Sequence, residues 1–208
     1  MERAIDYLVQ PYLTYEWWAI ALEVVAAIFG VASVLYSRAE NIKVYPTGII
    51  STAIYVFLLY QAGLFGDMGI NAYYFAMSIY GWINWAHVND EGESLQIEWA
   101  SLRDNLIGFN LLIVGYFFFS YILEEFTTST VPHIDGFTTS IFFVGMWFMA
   151  KKKVENWIYW IVGDLITIPL YIYKGLGISA IQFAFFTILA VLGYFEWRRK
   201  ANQSQATT

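Results

Sequence analysis

Seven apolar stretches separated by short polar segments dominate the chain, at roughly 17 to 36, 45 to 62, 69 to 87, 105 to 123, 136 to 150, 157 to 173 and 178 to 197. A helix crossing the hydrocarbon of a bilayer needs about 20 predominantly apolar residues, because every backbone amide must find its partner inside the segment. The fifth stretch is the weakest, with Thr138, Thr139 and Ser140 in its first turn, and gains length if it extends back toward His133. The pattern predicts an all-α membrane protein of seven transmembrane helices, a single membrane domain over 1–208. Composition agrees: 59% of residues are hydrophobic and 13% charged, whereas a soluble domain carries roughly a quarter charged. That much apolar surface has no single core to bury it and must face lipid.

Charge and rare residue types remove whole classes of function. A net charge of −6 with 11 Lys and Arg argues against a nucleic-acid partner, since phosphate binding releases counterions through cationic side chains. Cysteine is absent, and His87 and His133 both lie in polar segments, so no metal site or other cofactor is expected. The first 15 residues hold Glu2, Asp6 and Pro11 and no long apolar run, unlike a cleaved signal peptide. An intramembrane enzyme would need a nucleophile with its base, or a metal. The spans offer no Cys, no His pair and no Asp pair at helical spacing, so the chain is not read as an enzyme.

Positive charge sets the direction of the spans. Arg38, Lys43, Arg103, Lys151, Lys152, Lys153, Arg198, Arg199 and Lys200 fall on one side, against Arg3 and Lys174 on the other. Cytoplasmic loops retain Lys and Arg, so the C-terminus is expected inside and the N-terminus outside. The 88 to 104 segment reads as a solvated cytoplasmic linker.

The chain also repeats itself. Asn41 and Gly48 recur 115 positions later as Asn156 and Gly163; Gly63 and Leu64 recur 112 positions later as Gly175 and Leu176, and GWINW at 81–85 returns as GYFEW at 193–197. The slip of three residues is placed within the second and sixth spans. A triplet over 17–87, a linker helix at 105–123 and a second triplet over 136–197 enter the membrane in the same sense by parity. The repeats are therefore parallel, in a 3+1+3 order, which suits a carrier with its site between two halves.

Two acids lie inside spans, Glu23 and Asp164, and a carboxylate at a helix centre costs about 2.5–3.5 kcal/mol on insertion scales. Trp157, Trp160, Asp164, Thr167 and Tyr171 share one helical face, and Asn71, Tyr74, Ser78, Gly81 with Trp82, and Trp85 form a comparable stripe on the third span. Both stripes are expected to face inward. Gln182, Thr52, Tyr55, Asn105 and Asn110 add groups that can hydrogen-bond across a bundle. Aromatic faces, amides and carboxylates without cations suit a flat, polar, positively charged solute.

The run from Asn41 through YPTGIIS, AGLFGDM at 62–68, SIYGWINW at 78–85, ENWIYWIVGD at 155–164, PLYIYKGL at 169–176 and GYFEW resembles the PnuC family of bacterial vitamin transporters, over nearly the whole chain from about Glu23. The resemblance implies a SWEET-like fold, a homotrimer in the bacterial inner membrane, and uptake of nicotinamide riboside by facilitated diffusion, with a cytoplasmic kinase trapping the vitamin. Relatives carry thiamine or riboflavin, and the cation argument disfavours the neutral riboflavin. The resemblance assigns substrate binding to Trp157, Trp160 and Asp164 and to Asn71, Trp82 and Trp85; Gln182, Tyr171 and Glu23 complete the expected site. Proton coupling through Asp164 or Glu23 is the alternative mode of transport.

Overall fold

The computed structural model describes residues 16–61, 65–88, 94–127, 129–174 and 177–205. Within them the fold is all-helical, with seven helices: α1 (Trp17–Arg38), α2 (Val44–Gln61), α3 (Phe65–Ala86), α4 (Leu102–Phe126), α5 (Pro132–Ala150), α6 (Asn156–Tyr173) and α7 (Gly177–Gln205). Each expected stretch coincides with one helix. The fifth does begin further back, at Pro132, where a proline in the first turn lacks only an amide that has no partner in any case. The match of Gly63–Leu64 with Gly175–Leu176 lies outside the described residues.

Among the described residues, four segments are long and apolar enough to cross a membrane: Trp17–Arg38, Val44–Gln61, Leu102–Phe126 and Ala180–Gln203. The remaining helices, α3, α5 and α6, are those that carry Asn71, the Thr138–Ser140 cluster and Asp164. Their polar stripes dilute the average hydropathy, because a helix facing a cavity need not be apolar all round.

Six helices close a ring. α1 packs on α2, α2 on α3, α3 on α5, α5 on α6, α6 on α7, and α7 returns to α1. α4 stands outside, along α5. Small residues bring that pair together: a Cβ on Gly115 would lie 3.0 Å from Ser140 Oγ, and one on Gly136 would lie 2.7 Å from the Ser120 backbone nitrogen. Close backbone approach of this kind is how helices associate where lipid offers no hydrophobic drive. α4 starts from a capping box, Asp104 N–H donating to Ser101 Oγ at 3.1 Å while Ser101 N–H donates to the Asp104 carboxylate at 3.2 Å.

The core sits at the Lys- and Arg-rich end of the ring. Tyr45, Trp85, Met149, Val154, Trp157 and Trp197 are buried in one cluster there. Trp85 Nε1 donates to Met149 O at 3.2 Å, and Trp197 Nε1 donates to Ser37 O at 3.1 Å. The two indoles meet with centroids 5.9 Å apart. Ser37 Oγ donates to Met149 Sδ at 3.3 Å, and Lys152 Nζ donates to Glu40 Oε1 at 2.9 Å, each contact joining residues 112 positions apart. Glu40 and Lys152 are also the residues with left-handed φ, 56° and 52°. A side chain pays about 1–2 kcal/mol for that conformation, and here the ion pair between the two turns offsets it.

The segment read as a solvated linker is docked where it is described. Leu95, Ile97 and Trp99 pack on the core, with Ile97 at 2% exposure. Glu98 pairs with Lys153 by side chain, its backbone N–H donates to Lys152 O at 3.2 Å and its carbonyl accepts from Val154 N–H at 3.0 Å, and Ala100 N–H donates to Glu155 at 2.9 Å. The apolar residues alternate with Gln96 and Glu98, the period of an extended chain half-buried on a surface. Asn105 and Asn110 do not reach across the bundle. They donate to carbonyls of their own helix or its cap, because α4 lies outside the ring.

Candidate substrate cavity

A cavity of about 300 Å³ occupies the centre of the ring, and all six ring helices line it while α4 does not. That volume is at the lower end of the range for small-molecule sites, roughly 300–1,000 Å³. Its two sides differ. α5, α6 and α7 contribute Phe142, Trp157, Trp160, Phe183 and Phe186 with Asp164, whereas α1 and α2 contribute Gly30, Ser33, Ser37, Gly48, Ser51 and Thr52.

The aromatic side is a stack. Trp160 lies against Phe142 at 5.5 Å and 27°, and Phe142 against Phe183 at 5.9 Å and 18°. Tyr74 on α3 approaches Trp160 at 6.3 Å. Trp157 meets Trp197 edge-on at 5.6 Å, and its buried indole N–H has no hydrogen-bond partner among the described residues. A buried donor left unpaired costs about 1–3 kcal/mol, so a bound molecule or a water is its natural acceptor. Asp164 is 3% exposed. No Lys, Arg or His lines the cavity among the described residues, and none of the ion pairs among them includes Asp164. Lys174, on the next turns of chain, is taken by Asp135 at 2.5 Å.

The small side holds its hydroxyls in fixed directions. Ser51 Oγ donates to Ala26 O and Ser33 Oγ to Val44 O, each at 2.8 Å, tying α1 to α2. A Cβ on Gly48 would lie 3.2 Å from Ser33 Oγ and 3.3 Å from Ser78 Oγ. Glycine there lets α2 approach both neighbours closely, where a Cβ would press on both hydroxyls.

Of the residues expected to bind substrate, Trp157, Trp160, Asp164, Asn71 and Gln182 line the cavity. Four do not. Trp85 is 5% exposed but sits in the end core, where its N–H is engaged by Met149 O. Trp82 is 41% exposed. Gly81 is the residue against Tyr45, so Trp82, one position on, is turned about 100° from that contact. Tyr171 packs on Phe183 at 5.1 Å, beyond the lining, and Glu23 is half-buried on α1, one turn before the lining residues Ala26 and Ala27 and not itself part of the lining. Sequence reasoning passed over Phe142, Met146, Met149 and Phe186. An apolar residue on an apolar helix carries no mark of facing a ligand and not a neighbour.

A ring of helices around one small, cation-free, aromatic-walled cavity is the geometry of a carrier for an organic solute. The sequence pattern of the family described as nicotinamide mononucleotide transporter matches residues 20–199. The chain belongs to that family. It is a membrane transporter and not an enzyme. The nicotinamide riboside transporter PnuC of Escherichia coli (strain K12) is 22% identical over 207 residues, covering 88% of this chain and 87% of the relative. A protein of the same description from Neisseria mucosa is 26% identical, covering 84% and 71%. The riboflavin/roseoflavin transporter RibM of Streptomyces davaonensis is 20% identical, covering 90% and 89%. Among solved structures, the crystal structure of the vitamin B3 transporter PnuC superposes with a TM-score of 0.69 at 24% identity, covering 96% of this chain and 90% of that one, a likeness of fold.

Proposed function

We propose that this family member carries nicotinamide riboside across the bacterial inner membrane. The observation that carries the reading is the cavity itself: stacked aromatics beside one carboxylate, with no cationic side chain in the lining among the described residues. A pyridinium over Trp160 gains about 2 kcal/mol when desolvated, and Asp164 supplies the counter-charge. A mononucleotide would bring a phosphate to a wall with no cation to receive it. The riboside therefore fits better than the nucleotide named in the family's description. Thiamine, also a cationic aromatic, is the second reading. Riboflavin, named for one relative, is neutral and leaves Asp164 without a role.

We read the architecture as seven transmembrane helices in two parallel triplets around a linker helix, the SWEET-like 3+1+3 order, with the C-terminus cytoplasmic and three copies assembled. Contacts between residues 112 apart at the Lys- and Arg-rich end support the duplication. So do matched contacts: Gly81 lies under Tyr45 as Gly193 lies under Trp157, and Tyr45 meets Trp85 edge-on at 88° as Trp157 meets Trp197 at 88°. The same contacts favour an offset of 112 throughout over a change from 115. At that offset Gly30 against Ser51 corresponds to Phe142 against Gly163, the bulk having moved from one partner to the other. Transport is by facilitated diffusion, with phosphorylation inside the cell retaining the vitamin.

Calorimetry on the purified, detergent-solubilised protein tests the reading. Riboside binding with no response to thiamine or to the mononucleotide is the expected result. Binding of thiamine alone would move the substrate, and silence from both would end the vitamin reading. Uptake in cells should withstand an uncoupler; its collapse would mean proton coupling.

A further inference from the structure

Thr52 lies 112 positions before Asp164. Both line the cavity, Thr52 from α2 and Asp164 from α6. On the register of the matched contacts they are one place in two halves, occupied by a hydroxyl in the first and a carboxylate in the second. The proton of that hydroxyl is committed, for Thr52 Oγ1 donates to Gly48 O at 2.8 Å and also approaches Ile49 O at 3.3 Å. Ser51 and Ser33 have likewise given their protons to backbone carbonyls. A hydroxyl has one proton and two lone pairs. What these three hydroxyls leave for a ligand along the α1–α2 wall is a row of acceptors, facing a wall of aromatic rings and one anion. Such a cavity is polarised, and it fits a molecule with a flat cation at one end and several hydroxyl donors at the other.

We infer that the α1–α2 wall is the subsite for the hydroxyls of the ligand's sugar, with Thr52 accepting from one of them, and that this wall makes the carrier prefer a ribosylated cation to a sugar-free one. The inference rests on the riboside reading. It separates two ligands that the cation argument leaves together, because thiamine carries a single hydroxyl and the riboside three.

The test is calorimetry on the full chain in detergent with nicotinamide riboside, its 2′-, 3′- and 5′-deoxy analogues, and 1-methylnicotinamide. Thr52→Val keeps the shape and removes the acceptor, so riboside affinity should fall about tenfold while Thr52→Ser stays within about twofold. For the one deoxy analogue that lacks the contacted hydroxyl, Thr52→Val and wild type should bind alike, closing a double-mutant cycle. A Thr52→Val affinity within twofold of wild type, or the same deficit with every analogue, overturns the subsite. Should that variant not fold, wild type decides alone: 1-methylnicotinamide binding as tightly as the riboside overturns the subsite. Wild type that binds thiamine and no riboside overturns the substrate reading, and the subsite with it.

Discussion

Gly193→Ala reaches the cavity from behind. A Cβ at Gly193 would lie 2.6 Å from Trp157 Cζ2 and 2.7 Å from Cε2 and Cη2. Carbon atoms in contact rest about 3.5–4.0 Å apart, so the ring must give way by about 1 Å. Trp157 is 2% exposed, with Trp197 edge-on beside it, and the space open to it is the cavity of about 300 Å³ that it lines. Overpacking of this kind costs about 1–3 kcal/mol, or roughly 2–4 °C in Tm per kcal/mol for a chain of this size. The displaced ring also takes room from the ligand, and riboside affinity should fall at least about tenfold, a change of about 1.4 kcal/mol. Gly81→Ala is the control, since its Cβ meets the Tyr45 ring just as closely, yet Tyr45 is not part of the lining. Thermal unfolding in detergent should show both variants destabilised, and calorimetry should show Gly193→Ala alone weakened beyond what misfolded protein explains. Unchanged affinity in a destabilised Gly193→Ala, or an equal loss in Gly81→Ala, would refute the coupling of Gly193 to the cavity through Trp157.

Other expectations follow from the same geometry. Trp160→Ala and Asp164→Asn should each abolish measurable riboside binding while the protein still inserts; affinity within twofold of wild type in either would make that stripe mere packing. Burial pushes the Glu40 carboxyl up, but hydrogen bonds from Lys152 and Lys200 outweigh it and hold the group below its ordinary 4.5. A depressed carboxylate contributes stability that is present above the unfolded value and lost as pH falls through the folded one. The gap in Tm between wild type and Glu40→Gln should therefore hold steady from neutral pH down to about 5 and close below 4.5; a gap that widens on acidification would contradict the assignment. Lys174→Met leaves Asp135 without its cation at the far end of α5 and α6 and should lower Tm by a few degrees with riboside affinity unchanged, which calorimetry on the folded variant checks.

Periodicity and length carried most of the fold, since a run of about 20 apolar residues has few alternatives once water is absent. Trp157, Trp160 and Asp164 stand out because a carboxylate one turn beyond two indoles on an otherwise apolar helix has no place facing lipid. The serines and glycines of α1 and α2 were harder to read. Ser33 and Ser51 bond to backbone carbonyls of the neighbouring helix, as interhelical serines do in any bundle, and only the arrangement of six helices shows that the same oxygens border a cavity. Trp82 and Trp85 lie outside the lining for two different reasons. The third-span stripe runs past the cavity into the end core, where Trp85 is occupied by Met149 and Trp197, while Trp82 is exposed and turned off the stripe. A face on a helical wheel gives direction and not depth. The docked segment from Leu95 to Trp99 was legible in its alternation, yet five acidic residues between 88 and 104 drew the reading toward solvent; two of them, Glu98 and Asp104, turn out to be the partners of Lys151 and Lys153.

On the proposed duplication and the proposed substrate site, the two halves agree where they hold the structure together and differ where they line the cavity. At the Lys- and Arg-rich end the matched residues keep matched tasks: Trp85 and Trp197 each donate to the closing carbonyls of the other half's first helix, and Glu40 and Lys152 both turn the chain with a left-handed φ. In the cavity the matches are unlike, Gly30 with Phe142, Gly48 with Trp160 and Thr52 with Asp164. A symmetric wall would place a carboxylate on both sides, doubling the cost of buried charge, and would hold an unsymmetrical ligand equally well in two orientations. Divergence removes both problems. Gly30 and Gly48 surrender volume to Phe142 and Trp160, which fixes where a flat ring can lie, and the single anion then fixes which end of the ligand faces α6.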